Sequence, residues 1–349
     1  MSDPAALYES LRDEVGEVLV GNERLIEGLT IAALTDGHVL MEGVPGIAKT
    51  TAANLFARAS GLEHARVQMT PDLLPADITG TSVYRQETGT FELKRGPVFS
   101  NVVVADEINR ATPKTQSALL ESMQEQQVTI DGETRTLPSP FLVIATQNPI
   151  EMEGVFALPE AQRDRFQQKL AVDIPDRDNE RELLDRFDET PDLDPGSVEP
   201  VATPSEVLAC KDVVGDVYVA SSIKEYVIDV IDETRAHDAT EHGASPRATI
   251  TFLSAAKARA AIEGREYVIP DDLKALSGPV LAHRLVLDTD AGLRGTDPRE
   301  VITESVDRVE PPTTGFVPDA SETDVEQQYD SESGFERGAP QGHSQTDDA

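Results

Sequence analysis

The stretch VLMEGVPGIAKT, residues 39–50, decides how this chain folds. Val39, Leu40 and Met41 form an apolar run of the kind that becomes a buried strand. Gly43, Val44, Pro45, Gly46 and Ile47 then turn the chain, and Ala48, Lys49, Thr50 and Thr51 open a helix. A strand, a glycine turn and a Lys-Thr pair are the layout of a phosphate-binding loop. Backbone N–H groups cradle the phosphates, Lys49 reaches the β- and γ-oxygens, and the Thr50 hydroxyl holds Mg²⁺. Ala48 stands where that pattern usually has its second glycine. Alanine fits there when the residue is already helical with negative φ.

Two strand ends downstream add chemistry to the loop. Val102-Val103-Val104-Ala105 reads as a buried parallel strand that ends in Asp106-Glu107. A carboxylate at that tip can share the Mg²⁺ with Thr50, which makes Thr50 and Asp106 the metal candidates. Glu107 can polarise a water for attack on the γ-phosphate. Phe141-Leu142-Val143-Ile144-Ala145 is a third apolar strand and ends in Thr146-Gln147-Asn148-Pro149. The Asn148 amide can hold the same water, and Asn-Pro can equally be no more than a turn.

The segments GVPGIAKT, MTPDLLPADITG, FELKRGPVFSNVVVADEINRATPKTQSALLESMQE, ATQNPIE and LPEAQRDRF resemble those of MoxR-type AAA+ ATPases, in order and spacing, over roughly residues 5 to 308. The resemblance implies an α/β fold: a P-loop core whose parallel sheet lies between helices, followed by a helical lid. It implies ATP and Mg²⁺ as cofactors and hydrolysis of ATP to ADP and phosphate. It also assigns residues. Asn148 becomes the sensor at the third strand end, Arg165 the arginine finger, and Arg247 the lid sensor. Val20 and Gly21 come to lie near the adenine. Implied partners are further copies of the chain in a hexamer and a protein that is remodelled or activated, often one with a von Willebrand A domain.

Both arginines also have a reading of their own. Asp164-Arg165-Phe166 is expected in a polar helix, where Arg165 is either a solvated charge or a guanidinium offered to a transferring phosphoryl group. Arg163 competes for that role, because residues two apart on a helix do not share a face and only one of the two can be offered. Ser245-Pro246-Arg247 reads as an N-cap, a first-turn proline and a first-turn arginine. A cation there opposes the helix dipole, which points to a compensating anion such as a phosphate.

The organisation follows from these motifs. Residues 1–175 form the nucleotide-binding core, 176–308 the helical lid and 309–349 a disordered acidic tail. Two hairpins interrupt the core, at about 82–93 and 127–137, the second around Asp131-Gly132. The second hairpin sets Arg135 against Asp131 and Glu133 and has no basic or aromatic stripe, which argues against gripping nucleic acid. A helicase-like motor and a nucleotide-gated switch with little turnover remain as alternatives to a remodelling ATPase.

Composition sets limits. Lys+Arg is 30 and Asp+Glu is 64, a formal net charge of −34. Such an acidic, Lys-poor surface suits a high-salt cytosol, where ions screen self-repulsion. One cysteine, Cys210, excludes an internal disulfide. No run of eighteen apolar residues and no signal-like start appear, so a cytoplasmic protein without a membrane segment is expected.

Overall fold

The structure is a computed structural model, described here over residues 3–47, 49–149, 154–189 and 196–313. Ala48 and the acidic tail from residue 314, with its expected disorder, lie outside the described residues. Helices α1 (Pro4–Gly16) and α2 (Glu23–Leu34) lead into strand β1 (Val39–Glu42), and α3 (Lys49–Ala59) starts at the loop lysine. β2 (His64–Gln68), α4 (Pro75–Thr79), the hairpin β3 (Gly80–Arg85) and β4 (Thr90–Arg95), and β5 (Val102–Asp106) follow. Then come α5 (Pro113–Glu125), the hairpin β6 (Gln127–Ile130) and β7 (Glu133–Thr136), and β8 (Leu142–Gln147). The short α6 (Glu160–Arg163) and β9 (Gln168–Ala171) complete the sheet.

Five parallel strands lie in the order β2-β5-β8-β1-β9. Their alternation explains why both faces are covered. Val39, Met41, Val102, Val104, Leu142 and Ile144 pack with α1, α2 and α3 on one face. Leu40, Val103, Ala105, Val143 and Ala145 pack with α5 and Phe166 on the other. Strands that are apolar at every position are what a sheet buried on both faces requires. His38 fastens the N-terminal end of the sheet. Its Nδ1 accepts from the Val143 N–H at 3.0 Å, and its Nε2–H donates to the Met123 carbonyl at 3.1 Å. Burial lowers its pKa to about 4, so the ring is neutral.

The first hairpin is pinned by close backbone approach. Gly80 has φ +98°, and a Cβ on Gly96 would lie 2.2 Å from the Ile78 carbonyl oxygen. Only glycine fits there.

After α7 (Arg177–Glu189) the chain becomes a helical lid: α8 (Pro204–Asp216), α9 (Ser221–Ala236), α10 (Pro246–Ile262), α11 (Pro270–Leu281), α12 (Thr289–Arg294) and α13 (Pro298–Arg308). A small antiparallel pair, β10 (Thr240–His242) and β11 (Val286–Leu287), joins them. Three polar anchors fix the lid to the core. Buried Asp272 accepts from Arg259 and Arg265, and Arg259 also reaches Glu27 of α2 at 2.9 Å. Arg284, almost wholly buried, donates to Asp164 at 2.8 Å and to the Phe166 carbonyl at 2.8 Å. His283 Nε2 meets the same Phe166 carbonyl at 3.1 Å. α11 packs against β9, the last strand of the sheet.

Two details differ from the sequence expectations. Arg165 lies beyond a helix that ends at Arg163, so Asp164-Arg165-Phe166 is a turn into β9 rather than part of a helix. β9 itself went unread, because Gln168 and Lys169 interrupt its apolar pattern.

Candidate nucleotide site

Because all five strands are parallel, their C-terminal ends share one edge of the sheet, where ligands of open α/β sheets bind. The loop leaves β1 at that edge. A Cβ on Gly43 would lie 2.4 Å from the Val172 carbonyl oxygen, so the chain after β9 demands glycine here. Gly46 has φ +85°, a left-handed turn that glycine adopts without strain. Lys49 Nζ donates to the Gly43 and Val44 carbonyls at 2.5 and 2.7 Å. Desolvation lowers its pKa, opposed by Glu107, Asp106 and Glu42.

Asp106 ends β5 and is 2% exposed. The Thr50 hydroxyl donates to its Oδ1 at 2.7 Å, and the Thr146 hydroxyl reaches the same oxygen at 3.3 Å. Arg66 Nε donates to Oδ2 at 2.6 Å. A hydroxyl from the first turn of α3 and a carboxylate from the end of β5 are an oxygen pair suited to a hard cation that keeps waters and substrate phosphates as its other ligands. Among the described residues no cluster of three or more His, Cys, Asp or Glu forms a self-sufficient metal cage.

Glu107 follows in a left-handed conformation, φ +56° and ψ +52°. Such backbone in a side-chain-bearing residue costs on the order of 1 kcal/mol and is concentrated at functional sites. Its N–H donates to the Thr146 hydroxyl at 3.0 Å, so Thr146 braces both carboxylate residues. The Glu107 carboxylate accepts from Gln68 at 2.7 Å and from Arg110 at 3.1 Å. Asn148 is buried just past β8, the strand that lies between β5 and β1. It therefore stands between the loop and Glu107 in strand order. Val20 and Gly21 line a cavity of about 660 Å³ with Asn179, Glu182 and Arg186 of α7.

The structure thus brings the loop, Asp106, Glu107 and Asn148 to one edge. It does not bring Arg165 or Arg247 there. Arg165 donates to the Leu120 carbonyl at 2.7 Å, and both arginines line a cavity of about 270 Å³ with Asp36 and His38. That cavity opens at the N-terminal end of β1. The loop follows the C-terminal end, roughly 15 Å away at a strand's rise of about 3.3 Å per residue. Ser245 does cap α10, accepting from the Ala248 N–H at 3.2 Å, with Pro246 in the first turn. The residues that sequence reasoning missed are Arg66, Gln68, Arg110 and Thr146. For Arg66 and Gln68 the only sequence signal is that they flank Val67 at the end of a strand.

A family model described as "ATPase family associated with various cellular activities (AAA)" matches residues 38–168, and an AAA lid domain model matches 232–305. The chain is 44% identical to the Chaperone MoxR1 of Mycobacterium tuberculosis over 314 residues, covering 87% of this chain and 82% of that protein. It belongs to the MoxR family of AAA+ ATPases. It is also 34% identical to the Protein MoxR of Paracoccus denitrificans, over 82% of this chain and 91% of that one. A crystal structure from Cytophaga hutchinsonii superposes with a TM-score of 0.82 at 40% identity, covering 89% of this chain and 96% of that one. This chain therefore combines an AAA core with an AAA lid. No helix among the described residues is long and apolar enough to cross a membrane.

Proposed function

We propose that this MoxR-family chain hydrolyses ATP with Mg²⁺ and uses the cycle to remodel or activate partner proteins. The observation that carries this reading is the 2.7 Å bond from Thr50 to Asp106, with Glu107 next in the chain. It joins the loop's metal candidate to the strand's metal candidate and sets a base beside them. Lys49 swings from its own loop carbonyls to the β- and γ-oxygens. Gly43, Val44, Pro45, Gly46, Ile47, Ala48, Thr50 and Thr51 supply the cradle, and Val20 and Gly21 flank the base. Thr50 and Asp106 hold the Mg²⁺, which neutralises phosphate charge. Glu107 polarises the attacking water, and Asn148 orients it.

Arg165 and Arg247 serve the site of a neighbouring copy. Both sit at the opposite end of β1 from their own loop, and they line one cavity together. A trans-acting guanidinium stabilises charge on the transferring phosphoryl group and is worth about 10³-fold or more in rate. A closed ring, six copies in the family reading, supplies each loop with a neighbour's arginines. The partner is a protein, with von Willebrand A domains the first class to try. The second hairpin supports protein over nucleic acid, because Arg135 is held by Glu133 at 2.5 Å. The net charge of −34 supports a cytoplasm rich in salt as the working medium.

Complementation tests this reading. Lys49→Ala should abolish nucleotide binding, whereas Glu107→Gln should bind ATP and not hydrolyse it. Mixing inactive Glu107→Gln with inactive Arg165→Ala should restore activity at the shared sites, and Arg247→Ala should behave as Arg165→Ala does. Verified mixed assemblies with no recovery at any ratio would sink the trans assignment.

A further inference from the structure

A further cavity, of about 770 Å³, lies between α2, β9 and the lid helices α11 and α13. None of residues 43–51 lines it, so it is separate from the nucleotide loop. Its size suits a small ligand. Its charge runs against the whole chain: six Lys or Arg side chains and four carboxylates line it, in a protein of net charge −34.

Three of those carboxylates are already matched. Glu27 pairs with Arg259, Glu42 with Lys169 and Asp297 with Arg299. Arg24, Arg163 and Lys274 have no ion-pair partner among the described residues, which leaves a surplus of cation facing one space. Asp173 is the one remaining carboxylate opposite those three cations.

We propose that this cavity binds a phosphorylated small molecule of sugar-phosphate size. Its phosphate oxygens face Arg24, Arg163 and Lys274. The molecule bridges β9 of the core and α11 of the lid, so its binding stiffens their junction.

The test uses the full chain carrying Lys49→Ala, which silences the nucleotide loop, with ribose 5-phosphate as probe at fixed ionic strength. Calorimetric titration should show saturable binding, and the thermal midpoint should rise with probe concentration. Arg163→Gln and Lys274→Gln, both at positions not fully buried, should each weaken binding about tenfold, the worth of one hydrogen bond to a charged group. Inorganic phosphate should compete with the probe. No saturable binding at millimolar probe, unchanged affinity in both variants, or no competition by inorganic phosphate would overturn the site.

Discussion

Gln68 donates a 2.7 Å hydrogen bond to the carboxylate of Glu107, tying the end of β2 to the residue proposed to activate water. Arg110 holds the same oxygen at 3.1 Å. In this state the proposed base is occupied on its β2 side rather than free to orient water. A hydrogen bond to a charged group is worth about 1.5–3 kcal/mol, enough to hold a fraction of molecules idle. Gln68→Leu should therefore raise basal ATP turnover, by up to about tenfold. A steady-state assay without partner protein checks it, and a fall in the rate would show that Gln68 assists rather than restrains Glu107.

The left-handed backbone at Glu107 makes a separate prediction about stability. Asparagine tolerates φ near +56° better than glutamate does. Glu107→Asn should lose hydrolysis while its thermal midpoint stays level or rises by roughly 2 °C. A clear drop in midpoint would mean that the Gln68 and Arg110 contacts outweigh the strain.

His38 gives a pH dependence whose sign is fixed. Its folded pKa, about 4, lies below the unfolded value of 6.5. Above pH 6.5 neither state is protonated, and the ring adds no pH dependence. As pH falls from 6.5 towards 4 only the unfolded chain gains the proton, so stability is lost, by up to about 3 kcal/mol. Denaturant unfolding of wild type and His38→Gln at pH 7.5 and pH 5 isolates this: the variant should lose less stability on acidification. Equal losses would rule out a neutral buried ring.

Gly96→Ala should destabilise the protein by about 2 kcal/mol or more, because the added carbon meets the Ile78 carbonyl and the Gly80 N–H, both backbone. Neither can yield without moving the hairpin base. Urea midpoints measure the effect, and a neutral outcome would mean that the hairpin shifts freely.

What could be read beforehand was whatever is local in the chain. The loop from Gly43 to Thr50 and the Asp106-Glu107 strand end are contiguous strings whose chemistry follows from order alone. The second hairpin announced itself through its turn residues, Asp131-Gly132. The grip of Arg66 and Gln68 on the two carboxylates depends on β2 lying beside β5, with Gln68 opposite Asp106. That register is a property of the sheet, and no spacing along the chain encodes it. The β9 strand was hidden for a different reason: Gln168 is buried because its amide donates to the Gly28 carbonyl at 3.1 Å, a partner supplied by α2. The position of Arg165 and Arg247 at the far end of β1 was equally hidden, since a motif names a residue without saying which end of the molecule it occupies.

That last separation has a kinetic consequence. On the proposed reading a lone molecule owns a nucleotide loop and two arginines and still has no complete catalytic site. Every working site belongs to a contact between copies, so the rate per molecule depends on how crowded the molecules are. Dilution alone should switch the protein off, and doubling its concentration in the dilute range should more than double the total rate. Mutual repulsion between strongly acidic copies makes dissolved salt a second control on the same contact. The reaction order in protein, rather than any property of the isolated chain, then becomes the signature of this architecture.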